Sequence, residues 1–289
     1  LQNVSLNLPR MAYMAKKDDT KLFNLITERF VLATKAHKEK RVFLEKLLAH
    51  GEDGPLALLT MKRDGMPYLR FDRASHLVGM VGLNEMVQIH TGEEMHESKK
   101  ALKFGLKVMA HMKLLSDKMQ RQEGFRIVLE QTPAESTSYR FARLDMRYFS
   151  PASGRTVKGD IASGEVYYTN STHLNVKYPM NPIERVTNEG IFHPLIEAGS
   201  ISHVWLGESR PYKEALADFV IKTFRNTTND QIAFSPEFTT CNTCHRTGRG
   251  LLDTCTYCGS PDVDGITRIT GYFTKISSWN KGKRGELND

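Results

Sequence analysis

Four cysteines constrain this chain more than any other feature. They stand as Cys241-Asn-Thr-Cys244 and Cys255-Thr-Tyr-Cys258, two Cys-x-x-Cys knuckles separated by ten residues. That spacing lets four thiolates converge tetrahedrally on one zinc ion, with a short ribbon between the knuckles closing the site. The alternative, two redox dithiols, gives no reason for a second matched knuckle. All four cysteines are used, so no ligand is missing and no thiol is left over. A closed four-thiolate site is a scaffold, and the chemistry of the chain has to be sought elsewhere.

The next stretch reads Arg268-Ile-Thr-Gly271-Tyr272-Phe273, followed by Ser277-Ser-Trp-Asn280-Lys-Gly-Lys283 and Glu286-Leu287. Taken alone, Gly271 is a turn or bulge glycine beside an aromatic residue. Taken together, the ribbon, R-I-T-G-Y and N-K-G-K in this order resemble the glycyl-radical loop of the anaerobic (class III) ribonucleoside-triphosphate reductases. The resemblance implies that Gly271 carries the radical and that the zinc ribbon aims it into a barrel. The physics is consistent with that role. A backbone carbon radical is stabilised when Cα is planar and conjugated with its flanking amides, and glycine has no Cβ to oppose this.

At 289 residues the chain can bury a sizeable core and form one large domain or two small ones. Its 40% hydrophobic and 25% charged residues are ordinary for a globular protein. A net charge of +7 points to nucleic acid or to phosphorylated small substrates. Lys and Arg are spread along the chain rather than clustered, which weakens the nucleic-acid reading. No apolar run approaches the ~20 residues that span a membrane, and Leu1-Gln2-Asn3 opens no signal peptide. Cysteines in metal-type spacing suggest a reducing, cytoplasmic setting, so the Asn3, Asn170 and Asn226 sequons are chance matches.

Along the chain, Leu1 to Arg10 alternates apolar and polar residues and predicts a strand stopped by Pro9. It resembles the family strand that follows the finger loop bearing the radical cysteine. Asn3 and Asn7 then either face the active site or are edge and turn amides. Asp18-Asp-Thr20 is an N-cap cluster for a helix running to Gly51. Asp64-Gly65 predicts a hairpin within residues 56–71. Gly82-Leu-Asn-Glu85 leads into a short helix. Residues 95–122 form a long helix whose stripe of Leu102, Leu106, Met109, Met112, Leu115 and Met119 is core packing. His76, His90, His193 and His203 sit in no metal pattern and are structural.

Residues 125–130 predict a buried strand, followed by a hydroxyl-rich loop and a helix over 139–144. A strand, a small polar loop and a helix N-terminus can bind phosphate through free N–H groups and the helix macrodipole, although Ser or Thr there more often only caps. The stretch T-P-A-E-S-T also resembles the reductases' substrate-phosphate loop, which implies substrate contacts from Thr132, Pro133, Ala134, Glu135, Ser136 and Thr137. Residues 167–173 resemble another barrel segment that brings Asn170 and Ser171 to the site. Residues 191–208 predict a helix, a break at Gly199 and a buried strand; residues 212–223 predict an amphipathic helix; residues 232–238 predict a strand punctuated by Pro236.

Alternating strands and helices predict an α/β fold. The resemblance, which covers essentially the whole chain, implies the second half of the ten-stranded α/β barrel of ribonucleotide reductases and glycyl-radical enzymes, plus a C-terminal zinc ribbon. The expected division is barrel over 1–234, ribbon over 235–262 and radical loop over 263–289. The implied activity is anaerobic reduction of ribonucleoside triphosphates, with zinc as a structural ion and formate or a thiol protein as reductant. The implied partners are a radical-SAM activating enzyme and a second copy of the chain, with neither membrane nor nucleic acid. The family's nucleotide-binding regulatory region, first barrel half and thiyl cysteine are expected upstream, so the chain is read as a C-terminal fragment or one piece of a split enzyme. Two other readings compete: a zinc-ribbon nucleic-acid-binding protein, and another glycyl-radical enzyme such as a formate-lyase relative, a group that usually lacks the ribbon.

Overall fold

The N-terminal alternation does build a strand. In the computed structural model, which describes residues 2–289, β1 spans Gln2–Asn7. Leu1, the first residue of the predicted strand, lies outside the described residues. Pro9 does more than stop this strand. It sits in the first turn of helix α1 (Leu8–Ala15), where its missing N–H costs nothing. Asn7 caps that helix by accepting from the Arg10 N–H at 3.2 Å.

Helix α2 (Asp19–Leu48) begins as its acidic cluster predicts, with the Asp18 carboxylate accepting from the Lys21 N–H at 2.8 Å. A one-turn helix α3 (Ala57–Thr60) precedes the hairpin of β2 (Lys62–Arg63) and β3 (Met66–Pro67), which turns at Asp64-Gly65. Next come β4 (His76–Val81), α4 (Leu83–Thr91), α5 (Lys99–Glu123) and β5 (Ile127–Gln131). β1, β4 and β5 form a parallel sheet in that order. One face of β1 is apolar. Val4 and Leu6 pack under the helices with Met11, Leu22, Phe30, Met86, Met109 and Met112. The methionine stripe of α5 is therefore core, as its spacing predicts.

Helix α6 (Glu135–Tyr148) starts four residues earlier than the sequence pattern predicts, so Ser136 and Thr137 lie in its first turn. The hairpin of β6 (Lys158–Asp160) and β7 (Glu165–Tyr167) leads into residues 168–173, which are buried throughout. The helix predicted over 191–198 is absent. The helix in this region is α7 (Pro182–Gly190), capped by Asn181 and opened by Pro182, while Pro194 interrupts the residues after it. The predicted strand is β8 (Ser202–Gly207), which pairs in parallel with β9 (Ile232–Pro236) across helix α8 (Lys213–Asn226). Ala198 N–H donates to Leu129 O at 3.0 Å, and Gln131 N–H to Gly199 O at 3.3 Å. The segment leading into β8 thus lies against β5, and the three-stranded and two-stranded parallel sheets adjoin as part of a barrel wall.

Beyond the wall, β10 (Phe238–Cys241), β11 (Thr247–Arg249), β12 (Val263–Thr267) and β13 (Thr274–Lys275) form one antiparallel sheet in the order β11-β10-β12-β13. The final helix, α9 (Lys281–Asn288), is capped by Asn280, which accepts from the Lys283 N–H at 3.0 Å. No helix among the described residues is long and apolar enough to cross a membrane.

Asp18→Ala removes the only side-chain cap of α2, a helix whose Leu22, Ile26 and Phe30 anchor the core. It is expected to lower stability by about 1 kcal/mol in denaturant titration, with an unchanged m-value.

Candidate functional site

The two knuckles are superposable in their backbone bonding. His245 N–H donates to Cys241 O at 3.0 Å, and Gly259 N–H donates to Cys255 O at 2.9 Å. Their four Sγ atoms lie within 4.8 Å of one another, with Cys241–Cys258 and Cys244–Cys255 both at 3.6 Å. A tetrahedron of Zn–S bonds near 2.3 Å requires sulfurs about 3.8 Å apart, so the set fits zinc. The Cys244 N–H draws the Cys241 thiol down to about 6, toward the thiolate a metal needs. Cys241 also ends β10, the strand paired to β12, so an ion held by these thiols would fix the position of β12 directly.

Residues 268–273 form the loop between β12 and β13. Its stem is pinned to the barrel wall. Arg268 donates from Nε to Ser235 Oγ and from Nη2 to Phe234 O, both at 3.1 Å, and Trp205 Nε1–H donates to Ile269 O at 3.2 Å. At the tip Gly271 has φ +71°, a conformation that L side chains rarely adopt. A Cβ there would stand 3.0 Å from Glu135 Oε1 and 3.9 Å from Pro133 Cβ. Gly271 therefore rests against the 132–137 loop. Two segments that sequence reasoning singled out separately, 130 residues apart, meet at one point.

Helix α9 holds the same loop from the other side. Lys283 Nζ donates to Glu135 Oε1 at 2.6 Å and lies 4.3 Å from the Trp279 ring centroid. Asn280 Nδ2 donates to Glu135 O at 3.3 Å. Asn170 bridges the rest, with Oδ1 accepting from the Ala134 N–H at 2.8 Å and Nδ2 donating to both Glu286 carboxyl oxygens at 3.1 Å. The helix gets this close because its facing residues are glycines. A Cβ on Gly282 would stand 2.8 Å from Val166 O, and one on Gly285 would stand 2.2 Å from Glu165 O. Burial pushes the Glu286 carboxyl up to about 8, with Glu85 and Asp289 adding to the shift and Asn170 and Lys283 opposing it.

The remaining predicted site residues divide by position. Thr132 is buried, and its Oγ1 lies 3.1 Å from Asn3 Nδ2 and 3.2 Å from Ser5 Oγ, on the polar face of β1. Ser136 is exposed and Thr137 half-buried in a first helical turn whose cap residue, Ala134, supplies no side-chain acceptor. That leaves this helix N-terminus with no side-chain cap. Asn7 is spent on protein partners: besides capping α1, its Nδ2 donates to Asp145 Oδ2 at 2.9 Å. Asp145 also binds Arg10 and Tyr168. Asn170 is likewise fully engaged, as the bridge between Ala134 and Glu286. Ser171 donates to Met80 Sδ at 3.1 Å and faces the core.

Lys283 and Glu286 were quoted in the sequence motif without a role. The signal was present: three residues apart after an Asn cap, they share a helix face with Gly282 and Gly285, three apart and free of bulk.

A half-barrel of parallel strands joined to a four-cysteine ribbon and to a glycine loop that rests against the 132–137 segment defines the class as a ribonucleotide-reductase-type α/β protein. A family model described as anaerobic ribonucleoside-triphosphate reductase matches residues 1–289. The chain belongs to that family. It is 28% identical over 300 residues to the anaerobic ribonucleoside-triphosphate reductase of Escherichia coli K12, covering 98% of this chain and 41% of that protein. The enzyme of that name from enterobacteria phage T4 is 27% identical over 308 residues, covering 98% and 47%. The chain thus spans less than half the length of these relatives. Among solved structures, it resembles the Thermotoga maritima anaerobic ribonucleotide reductase in complex with dATP and CTP, with a TM-score of 0.76 and 20% identity over 98% of this chain and 44% of that one. A second anaerobic ribonucleotide reductase superposes with a TM-score of 0.79 and 21% identity over 98% and 43%.

Two outcomes follow for these elements. Cys255→Ser is expected to abolish stoichiometric zinc binding by metal analysis and to open residues 242–262 to limited proteolysis, with the barrel helices still protected. For α9, the folded chain keeps the Glu286 proton and the unfolded chain releases it in the ordinary carboxylate range. Its stabilising contribution is therefore full at low pH and is lost as pH rises through the folded value, from about 5 to about 8. Hydrogen exchange of residues 281–288, corrected for the intrinsic rate, should quicken across that window, and Glu286→Gln should flatten the dependence.

Proposed function

We propose that this chain is the C-terminal catalytic part of an anaerobic ribonucleoside-triphosphate reductase and that Gly271 is its radical-storing residue. The observation that carries the reading is the contact between Gly271 and the 132–137 loop, since a radical store is useful only where substrate is held. In this reading Thr132, Pro133, Ala134, Glu135, Ser136 and Thr137 receive the triphosphate at the uncapped start of α6, where backbone N–H groups and the helix dipole favour an anion. Asn170 shapes that loop through the Ala134 N–H, and Asn7 supports it indirectly by fixing Asp145. Zinc held by Cys241, Cys244, Cys255 and Cys258 supplies structure alone. The three-part division at 234 and 262 is functional in this reading, because the β10–β12 pairing carries the ribbon's rigidity into the radical loop.

The complete enzyme removes the ribose 2′-hydroxyl as water, the two electrons coming from formate, released as carbon dioxide, or from a dithiol, released as a disulfide. A radical-SAM activating enzyme takes the hydrogen atom from Gly271. All four cysteines of this chain are committed to the ribbon, so the thiol that passes the radical to substrate belongs to another part of the enzyme. The chain alone is expected to show no turnover. The setting is a reducing, anaerobic cytoplasm, and the working unit is a homodimer.

Electron paramagnetic resonance of the complete enzyme after anaerobic activation tests the central assignment. A doublet is expected that collapses with 2-²H-glycine labelling and is missing in Gly271→Ala. A doublet that persists in Gly271→Ala sinks the assignment.

A further inference from the structure

Glu135 sits awkwardly for a residue in an anion-binding loop. It is the first residue of α6, and its carboxylate lies where a triphosphate would add more negative charge. The structure resolves this with a single cation. Lys283, almost wholly buried at 4% side-chain exposure, donates to Glu135 Oε1 at 2.6 Å. The same oxygen is the atom nearest the place a Gly271 Cβ would occupy. Lys283 comes from α9, so any excursion of the Gly271 segment that carried α9 with it would take this cation away from the loop. Removing α9 would therefore expose Glu135 as an unpaired carboxylate, and docking α9 neutralises it.

We propose that Lys283 is a positioning residue that couples the two loops: by pairing with Glu135 it makes docking of the radical segment and binding of a ribonucleoside triphosphate mutually supporting. This rests on the substrate-loop reading given above. Linkage makes the coupling reciprocal: whatever factor α9 docking adds to triphosphate affinity, bound triphosphate adds to the docked state. A substrate-loaded enzyme then keeps Gly271 inside, and an empty one releases it to the activating enzyme. The Asn170 bridge gives the coupling a second mechanical link, because Glu286 of α9 and the Ala134 N–H share that one side chain.

The test uses the complete reductase with substrate triphosphate. In the unmodified enzyme, triphosphate is expected to slow hydrogen exchange at residues 269–273 and the appearance of the glycyl doublet. Lys283→Met should raise KM for triphosphate by about tenfold or more, with a smaller change in kcat, because Glu135 is left unpaired beside the substrate. Glu135→Gln should instead lower KM and weaken the protection of residues 269–273 by triphosphate to the part that the Asn170 bridge carries. Lys283→Met combined with Glu135→Gln should return KM to within about threefold of the starting value, a rescue that lost packing alone would not give. Should Lys283→Met fail to fold, Glu135→Gln still decides the matter. Triphosphate protection undiminished in Glu135→Gln, or a double variant as impaired as Lys283→Met, overturns the proposal. Absence of any glycyl doublet in the unmodified enzyme would instead overturn the radical assignment, so the two failures are distinguishable.

Discussion

The fit of α9 against the β6–β7 hairpin and the start of α6 is the constraint on which the site depends. Eight residues with two glycines do not hold a helix in water. The helix exists because it is docked, and docking is possible because Gly282 and Gly285 let its backbone approach Val166 and Glu165. Once there, it buries a lysine and a glutamate that need partners. Lys283 finds Glu135 and Glu286 finds Asn170, so satisfying the helix's own polar groups fixes the loop that Gly271 touches. Nothing in this arrangement is independent: helix, loop and glycine segment take their conformations together.

The cysteines hold the other end. The 268–273 loop leaves β12 and returns as β13, and β12 is paired through β10 to the first knuckle. Four thiols packed this closely cannot all ionise without a cation between them, so a metal bound there would brace the sheet. The stem contacts from Arg268 and to Ile269 then attach the sheet to β8 and β9 of the barrel wall. Gly271 is thus suspended between the ribbon's sheet and a docked helix.

Much of this was legible where local chemistry is self-sufficient. The knuckle spacing, the Asp18 cap, the Asp64-Gly65 turn and the methionine stripe of α5 each carry their reason within a few residues. Errors arose where a residue's partner lies far along the chain. Pro9 reads as a strand stop until Asn7 is seen capping the helix it opens. Residues 191–198 have helical composition, but Pro194 and the Asn181-Pro182 start place the helix upstream. Asn7 and Asn170 read as amides facing the site, and both bond protein groups; only the fold reveals Asp145 and Glu286 as their partners. Ser136 and Thr137 read as loop hydroxyls because nothing local shows that α6 begins at Glu135 without a cap.

The polar face of β1 sharpens what the half-barrel is for. Val4 and Leu6 face the helices, while Asn3, Ser5 and Asn7 face Thr132 and Asp145 on the opposite side of the sheet. A parallel sheet covered by helices on both faces reads as continuously apolar, and this strand does not. Its inner surface is therefore built to meet polar groups. The same surface ends at Thr132, the first residue of the loop on which Gly271 rests. The polar face of β1, the uncapped start of α6 and the glycine tip thus adjoin, and the side chains of that face are already oriented by partners within this chain.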